Sequence, residues 1–320
     1  MNDHNDYAIG IDLGGTQIKT VAVTPSGEVL AQTRDITEDS TTSGVGQWRD
    51  KVRQQVAQLQ RQHGAATAIG LAAPGLAAPD QRSIAFMPGR MQGLEGLDWT
   101  ELLQSPHRVT VLNDAHAALL GEVWKGAAAG FRDVILLTLG TGVGGAILAD
   151  GKLLRGTIGR AGHLGHICLN PDGAPDITGI PGSLEDAIGD CTLPQRSAQR
   201  FASTRGLIEA YRAGDGEAAA IWLKSVHELA CGIASLINVV DPEAVIIGGG
   251  MVQAAEALFE PLQGFLDRVE WRPGGHAVKI LPAQLGDLAG ALGAAYFARN
   301  SGGRINSAPR GHPERSVNLR

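Results

Sequence analysis

The stretch "YAIGIDLGGTQIKTVAVTPSGEVLAQ", residues 7–32, decides the fold of this chain. Apolar residues alternate with others on both sides of a glycine pair, which predicts two strands joined by a tight turn. A second turn, Pro25-Ser26-Gly27, precedes another run that favours a strand. The stretch therefore predicts an antiparallel β-meander whose first turn is built from glycine.

The same device recurs at "VILLTLGTGVGGAILADGKLLRG", residues 134–156. Gly140 to Gly145 satisfies G-x-G-x-x-G, which is also typical of dinucleotide-binding loops. A dinucleotide loop opens a helix, whereas here the chain continues as a strand and reaches the hairpin Asp150-Gly151. Because glycine lets backbone N–H groups approach phosphate oxygens, we interpret this turn as a second phosphate loop, with a plain tight hairpin as the alternative.

Helical and strand patterns alternate along the rest of the chain, which predicts an α/β protein. Apolar residues at helical spacing precede the short strand "AIGLAAPG", and a long helix at 217–238 precedes the strand "AVIIGGG". A length of 320 residues suits two domains. We expect an N-terminal lobe at 1–115 completed by a helix at 287–300, a C-terminal lobe at 116–286 and a disordered tail at 301–320.

The composition excludes several classes of protein. A net charge of −6 gives no electrostatic reason to expect nucleic acid or an anionic membrane as a partner. Three scattered cysteines build neither a disulfide framework nor a zinc ribbon. The first residues lack a signal peptide, and the apolar runs are too short or too interrupted to span a bilayer. We therefore expect a cytoplasmic protein.

Polar residues follow two of the predicted strands. Asp12 precedes the first glycine pair, with Thr16 and Lys19 beyond it. A carboxylate beside a phosphate loop would be repulsive without a cation, so Asp12 predicts Mg²⁺ held through water. Asn113 and Asp114 lie where a strand gives way to a helix. Asp114 is therefore either a helix N-cap or a carboxylate that takes a proton from an attacking hydroxyl.

Six motifs in order resemble the ROK family of sugar kinases and related repressors. They are "IGIDLGGTQIK", "GLAAPG", "VLNDAHAALLGE", "LTLGTGVGGAIL", residues 159–185 and "VIIGGG". The resemblance covers nearly the whole chain and implies the two-lobed actin and hexokinase-like ATPase fold, related to ribonuclease H, with a cleft between the lobes. The family's repressors carry a DNA-binding domain ahead of this core, and we expect none here.

The resemblance also implies roles for individual residues. Asp114 would be the general base, and the residues toward the sugar would be Gly75, Asn113, His163, His166 and Glu185. The residues toward ATP would be Asp12, Gly14, Gly15, Thr16, Lys19, Gly140, Thr141, Gly142, Gly144, Gly248, Gly249 and Gly250.

The stretch "GRAGHLGHICLNPDGAPDITGIPGSLE", residues 159–185, departs from the family pattern. Members usually hold a structural zinc there with one histidine and three cysteines, and this chain matches the histidine with His166 but the cysteines with Asp176, Thr178 and Ser183. One His with one Asp is a poor remnant of a tetrahedral zinc site, so we expect no structural zinc. A loop ordered only by its turns and prolines is the alternative to a substrate-binding segment.

Two further departures affect the predicted substrate. His163 stands where the family has a glutamate that accepts from sugar hydroxyls, and an imidazole offers one acceptor and one donor. "FMPGR", Phe86 to Arg90, stands where relatives often have an Asn and a Trp. The resemblance implies an ATP- and Mg²⁺-dependent kinase of a hexose or hexose derivative, assembled as a homodimer. The alternative is a sugar-binding regulatory protein of the same family that has little or no kinase activity.

Overall fold

The computed structural model describes residues 6–38 and 46–300. Its first sheet has five strands in the order β3-β2-β1-β4-β7. The strands are β1 Ala8–Leu13, β2 Gln17–Val23, β3 Val29–Ile36, β4 Ala68–Ala73 and β7 Val109–Asn113, beside a small hairpin of β5 Leu76–Ala77 and β6 Ile84–Phe86. The first three strands are antiparallel neighbours, whereas β4 and β7 run parallel to β1. The predicted meander is confirmed.

The second sheet repeats this topology with the order β10-β9-β8-β11-β12. The strands are β8 Val134–Leu139, β9 Val143–Ala149, β10 Lys152–Leu153, β11 Ala244–Gly248 and β12 Lys279–Pro282. β8 pairs antiparallel with β9, and Leu139 faces Val143 across the glycine turn. Because a strand follows these glycines, the dinucleotide-binding alternative is excluded.

Nine α-helices lie within the described residues, and the predicted long helices are among them. Their bounds are α1 Gln47–His63, α2 Trp99–Leu102, α3 Asp114–Lys125, α4 Leu184–Ile188, α5 Leu193–Arg196, α6 Thr204–Arg212, α7 Gly216–Val240, α8 Glu256–Val269 and α9 Ala289–Arg299. The predicted tail at 301–320 lies outside the described residues.

Two helices, α3 and α9, pack closely on each other next to the first sheet. A Cβ added to Gly10 of β1 would lie 1.8 Å from the carbonyl oxygen of Ala291, and one added to Gly293 would lie 1.7 Å from that of Ala117. Glycine at these positions therefore lets the backbone of α9 touch both β1 and α3. The start of each helix is brought in this way to the carboxyl ends of the central strands.

One helix of the described part, α7, is by length and composition long and apolar enough to cross a membrane, which the sequence did not predict. Its side chains Trp222, Leu229 and Ile233 are buried in the core of the second lobe. The apolar composition of α7 is thus explained by its place as a core helix between other elements.

Candidate functional site

Asn113 and Asp114 lie where β7 ends and α3 begins. The Oδ1 of Asn113 accepts from the backbone N–H groups of Ala115 and His116 at 3.0 and 3.2 Å. Asn113 is therefore the N-cap of α3, and the capping role that the sequence allowed for Asp114 belongs mainly to its neighbour.

The carboxylate of Asp114 is held in one orientation. Its Oδ1 accepts from the Asn113 side-chain amide at 2.8 Å and from the N–H of Ala115 at 2.8 Å. The same amide group donates to the carbonyl oxygen of Gly75 at 3.1 Å, which links the end of β4 to the end of β7. Burial raises the pKa of Asp114, and the hydrogen bonds from Ala115 and Asn113 offset part of that shift. The result is a fixed carboxyl group with increased basicity.

Asp12 lies at the end of β1, close to Asp114. Burial raises the pKa of Asp12 to about 7, Lys19 acts in the opposite direction, and the charges of Asp114 and Asp287 raise it further. Gly290 at the start of α9 is so close that a Cβ there would lie 2.9 Å from Cγ of Asp12. Asp12 is shielded from solvent and lies within the electrostatic influence of Asp114 and Asp287. A cation would be favoured beside such a group of carboxylates.

The first glycine turn joins β1 to β2 with little side-chain bulk. The N–H of Gly14 donates to the carbonyl oxygen of Gln17 at 3.0 Å. The backbone oxygens of Gly14 and Thr16 accept from Thr37, which secures the turn against the end of β3. Lys19, on β2, lies 3.7 Å from Asp287. Gly14, Gly15 and Thr16 thus form the turn, and Asp12 and Lys19 face each other on the two strands that it joins.

The second glycine turn meets the third glycine run. The N–H of Gly140 donates to the carbonyl oxygen of Gly142 at 3.0 Å, which closes the turn. Gly249 has φ +83°, and a Cβ there would lie 2.3 Å from the carbonyl oxygen of Leu139. Only glycine allows this approach, because a side chain would be strained and would overlap the backbone of β8.

A cavity of about 630 Å³ opens where these two glycine segments meet. Gly140, Thr141 and Gly250 line one side, whereas Gly248 belongs to the end of β11. The remaining lining residues were not predicted; they are Asp190, Ser203, Thr204, Arg205, Ile208, Glu209, Arg212, Met251, Gln253 and Ala254. Most of them belong to α6 or to Ser203, which caps it. In the sequence, that segment shows only the pattern of an amphipathic helix, which does not indicate a binding site.

Residues 159–166 pack against the start of α3. The Nε2 of His116 lies 2.9 Å from the carbonyl oxygen of Ala161, and a Cβ added to Gly162 would lie 3.0 Å from the same nitrogen. The His163 ring stands edge-on to that of His116, with centroids 5.9 Å apart. Burial lowers the pKa of both histidines, that of His116 to about 4, so both rings are neutral at pH 7. His163 is thereby brought beside the first turn of α3, which begins at Asp114.

The histidine at the family's zinc position is held by a carboxylate. Nδ1 of His166 lies 2.8 Å from Oδ2 of Asp176, whose side chain is fully buried. The other oxygen of Asp176 accepts from the N–H and hydroxyl groups of Thr178 and from the N–H of Ile180. Burial raises the pKa of Asp176, but these hydrogen bonds outweigh it and hold the pKa well below its usual range.

Glu185 connects the same stretch to the second glycine turn. Its Oε2 accepts from the N–H of Val143 at 2.9 Å, and a Cβ added to Gly142 would lie 2.3 Å from that oxygen. Gly144 in turn lies against α3, with its added Cβ 3.3 Å from that of Ala115. The residues predicted to face the sugar are thus one contact away from those predicted to face phosphate.

Comparison with known proteins identifies the family of this chain. The family model described as "ROK family" matches residues 8–301. A glucokinase of Streptomyces coelicolor is 31% identical over 324 residues, which cover 91% of this chain and 97% of that protein.

Two solved structures are similar along the same span. The ROK hexokinase from Thermus thermophilus has a TM-score of 0.80 and 31% identity, and the match covers 92% of this chain and 98% of that one. A ROK family glucokinase from Streptomyces griseus, solved in complex with glucose and AMPPNP, has a TM-score of 0.75 and 30% identity over 92% and 99% of the two chains. The two sheets of this chain therefore form the two-lobed ATPase fold of these kinases, and the chain belongs to the ROK family.

Proposed function

We propose that the protein transfers the γ-phosphoryl group of ATP to a hydroxyl of a hexose or hexose derivative. The observation that carries this proposal is the Asp114 carboxyl group, which Asn113 orients between two glycine turns. Glucokinases with about the same length, and a relative crystallised with glucose and AMPPNP, support the assignment.

The nucleotide would bind between the second glycine turn and α6. The cavity there is large enough for an adenosine group, and Gly140 and Gly250 leave the backbone accessible at its wall. The triphosphate would extend toward the first glycine turn at Gly14 and Gly15. The crowded carboxyl group of Asp12 fits a Mg²⁺ ion held through water, and that ion would neutralise charge on the phosphates.

The sugar would occupy the space beside Asn113, His163 and His166. Asn113 would orient a hydroxyl, although its amide group is also needed to hold Asp114 and Gly75. The Glu185 side chain accepts from the N–H of Val143. This hydrogen bond would connect residues 159–185, which we assign to the sugar, with the second glycine turn.

In the transfer step, a sugar hydroxyl, which we expect to be the primary one, loses its proton to Asp114. Its oxygen forms the new bond to phosphorus, the bond between the γ-phosphorus and the β,γ-bridging oxygen breaks, and ADP leaves. The raised pKa of Asp114 makes the carboxylate a better proton acceptor. Catalysis would come mainly from positioning and charge neutralisation, and closure of the lobes would exclude water.

The variant Asp114→Asn tests this proposal. The amide preserves the shape of the side chain and can still accept from Ala115, but it cannot take a proton. We expect kcat to fall about 10²-fold or more, with little change in sugar affinity, in a coupled assay of ADP release over a panel of hexoses.

Asp98→Asn is the matched control. The Asp98 side chain caps α2 by accepting from the backbone N–H groups of Thr100 and Glu101, away from this site. Wild-type turnover by Asp114→Asn would refute the general-base role. Absence of ADP release by the wild-type protein with every sugar, together with sugar binding, would favour the regulatory alternative. Homodimer assembly, the lobe boundaries and a cytoplasmic location stay predictions, the last supported by three free cysteines.

A further inference from the structure

Arg90 lies directly on the first glycine turn. A Cβ added to Gly15 would lie 2.1 Å from the Nη2 atom of Arg90 and 3.0 Å from its Cζ atom. The guanidinium group therefore lies directly against the backbone of Gly15, where no side chain stands in its way. The sequence did not predict this contact, since "FMPGR" differs from the family in a loop near the substrate and carries no signal that joins it to the glycine turn.

The backbone next to Arg90 has a conformation that a side-chain-bearing residue rarely adopts. Met91 has φ +48°, in the left-handed region. Its side chain is only 1% exposed and belongs to the core of the first lobe. Burial of Met91 offsets the unfavourable backbone and turns the preceding residue outward, so that the exposed Arg90 is directed to the glycine turn.

Three hydrogen bonds hold the rest of this loop. The Oε1 of Glu95 accepts from the N–H of Met87 at 2.5 Å, and the carbonyl oxygen of Met91 accepts from Leu94 at 3.0 Å. The guanidinium group of Arg49 on α1 donates to the carbonyl oxygen of Gly93 at 2.5 Å. Arg90 is therefore presented by a loop that is anchored on both sides.

Two other cations lie near the first glycine turn. Lys19 lies 3.7 Å from Asp287, and Arg34 lies 3.3 Å from the same carboxylate. Arg90 approaches the turn from the opposite element, the β6–α2 loop. A guanidinium group is planar, always charged and suited to pair with phosphate oxygens through two N–H groups.

We propose that Arg90 is a catalytic residue that donates hydrogen bonds to the phosphoryl group being transferred. The inference rests on the proposed function, since it requires phosphate at the Gly14–Thr16 turn. Negative charge is spread over the phosphoryl oxygens as the bond to the β,γ-bridging oxygen breaks and the bond to the sugar oxygen forms. Arg90 keeps its protons throughout and stabilises that charge, while the hydroxyl proton goes to Asp114.

The test compares Arg90→Met and Arg90→Lys with the wild-type protein. We expect Arg90→Met to lower kcat about 10²-fold with the KM for sugar nearly unchanged, and Arg90→Lys to recover part of the loss. In calorimetric titrations, Arg90→Met should weaken binding of a nonhydrolysable ATP analogue about tenfold but leave ADP binding nearly unchanged. Arg53→Met is the control, since Arg53 is an exposed arginine of the same lobe that contacts Leu102 and Asp50.

Several outcomes would overturn the inference. Unchanged kcat in Arg90→Met, equal losses of affinity for the ATP analogue and ADP, or a loss confined to the KM of the sugar would each do so. A loss confined to sugars bearing a carboxylate or phosphate would show that Arg90 binds an acidic group of the acceptor. If Asp114→Asn loses turnover while Arg90→Met keeps it, the proposed function stands and this inference falls. Thermal unfolding of both Arg90 variants verifies that they are folded.

Discussion

At the scale of single residues, we predict that the chemistry of His163 determines sugar preference. Its Nδ1 atom is buried and has no hydrogen-bond partner within the described part of the chain. A buried polar atom without a partner is costly, and a sugar hydroxyl would supply one. If a sugar binds there, as we predict, it would meet a neutral imidazole in place of a carboxylate.

We predict that glucose is a poor substrate and that His163→Glu shifts the preference toward it. A site built to pair a hydroxyl discriminates strongly against groups that leave it unpaired, so the ratio of kcat/KM for glucose to that for an N-acetylhexosamine should rise about tenfold or more. The measurement is kcat/KM for a panel of hexoses and N-acetylhexosamines. His107→Glu, at an exposed position, is the control.

The pH dependence of sugar binding gives a second readout of the same variant. Burial lowers the pKa of His163 below the ordinary value of 6.5, so the neutral ring is kept as the pH falls from 8 to 6.5. The stability that this neutral ring contributes is complete above pH 6.5 and is lost as the pH falls toward the lowered pKa. Sugar affinity of the wild type should therefore be constant above pH 6.5 and change only below it. An unchanged sugar ranking in His163→Glu would place His163 outside the sugar site.

At the scale of elements, the loop from His166 to Ser183 is organised around one buried carboxylate. Asp176 accepts from four donors and closes the turn 176–180, while Ser183 caps α4 through the N–H of Asp186. An ionised carboxylate only accepts, so Nδ1 of His166 carries the proton in this hydrogen bond. The loop is thus held by hydrogen bonds at the place where the family resemblance implies a zinc site.

We predict that purified protein contains no stoichiometric zinc and that a chelator leaves its unfolding temperature unchanged. The chelator should stop catalysis only by removing Mg²⁺. Asp176→Asn should raise the KM for sugar about tenfold with little change in kcat, because the amide cannot accept from all four donors.

Elemental analysis measures the zinc content, and thermal unfolding with and without chelator measures the unfolding temperature. Steady-state kinetics give KM and kcat. Asp172→Asn, at an exposed position of the same loop, is the control. One zinc per chain would contradict the prediction, as would an Asp176→Asn protein with wild-type KM.

At the scale of the whole molecule, Glu122 joins distant parts of the chain. It is fully buried near the end of α3 and accepts from the N–H groups of Ala127, Gln284 and Leu285. The last two lie in the segment that leads from β12 to α9. The two helices that pack on each other are therefore tied together at one carboxylate.

Removal of this carboxylate should destabilise the whole fold. Glu122→Ala leaves three backbone donors without their acceptor, and we predict a loss of about 3 kcal/mol in the free energy of unfolding, measured by urea denaturation. Glu122→Gln keeps one acceptor and should lose less. Glu260→Ala, on the exposed face of α8, should change stability by less than about 0.5 kcal/mol. Equal stability of Glu122→Ala and wild type would refute the role of Glu122.

The sequence by itself determined the local architecture. Alternating apolar residues and glycine pairs specify strand–turn–strand units through interactions between near neighbours, so both meanders and the helix after Asn113 could be predicted. The glycine runs indicated the turns that we assign to phosphate, because the effect of glycine on the backbone is local and does not depend on distant residues. Family motifs then supplied the roles proposed for Asp12 and Asp114.

Only the tertiary structure decided which side chains meet. The contact of Arg90 with Gly15 depends on a buried Met91 and on a loop anchored to α1, and the wall of the cavity depends on how α6 packs beside the segments that follow β8 and β11. Asp176 holds His166 because the loop folds back across ten residues. Such contacts join segments whose spacing along the chain carries no periodic signal, and they form only when the core has fixed the elements in place.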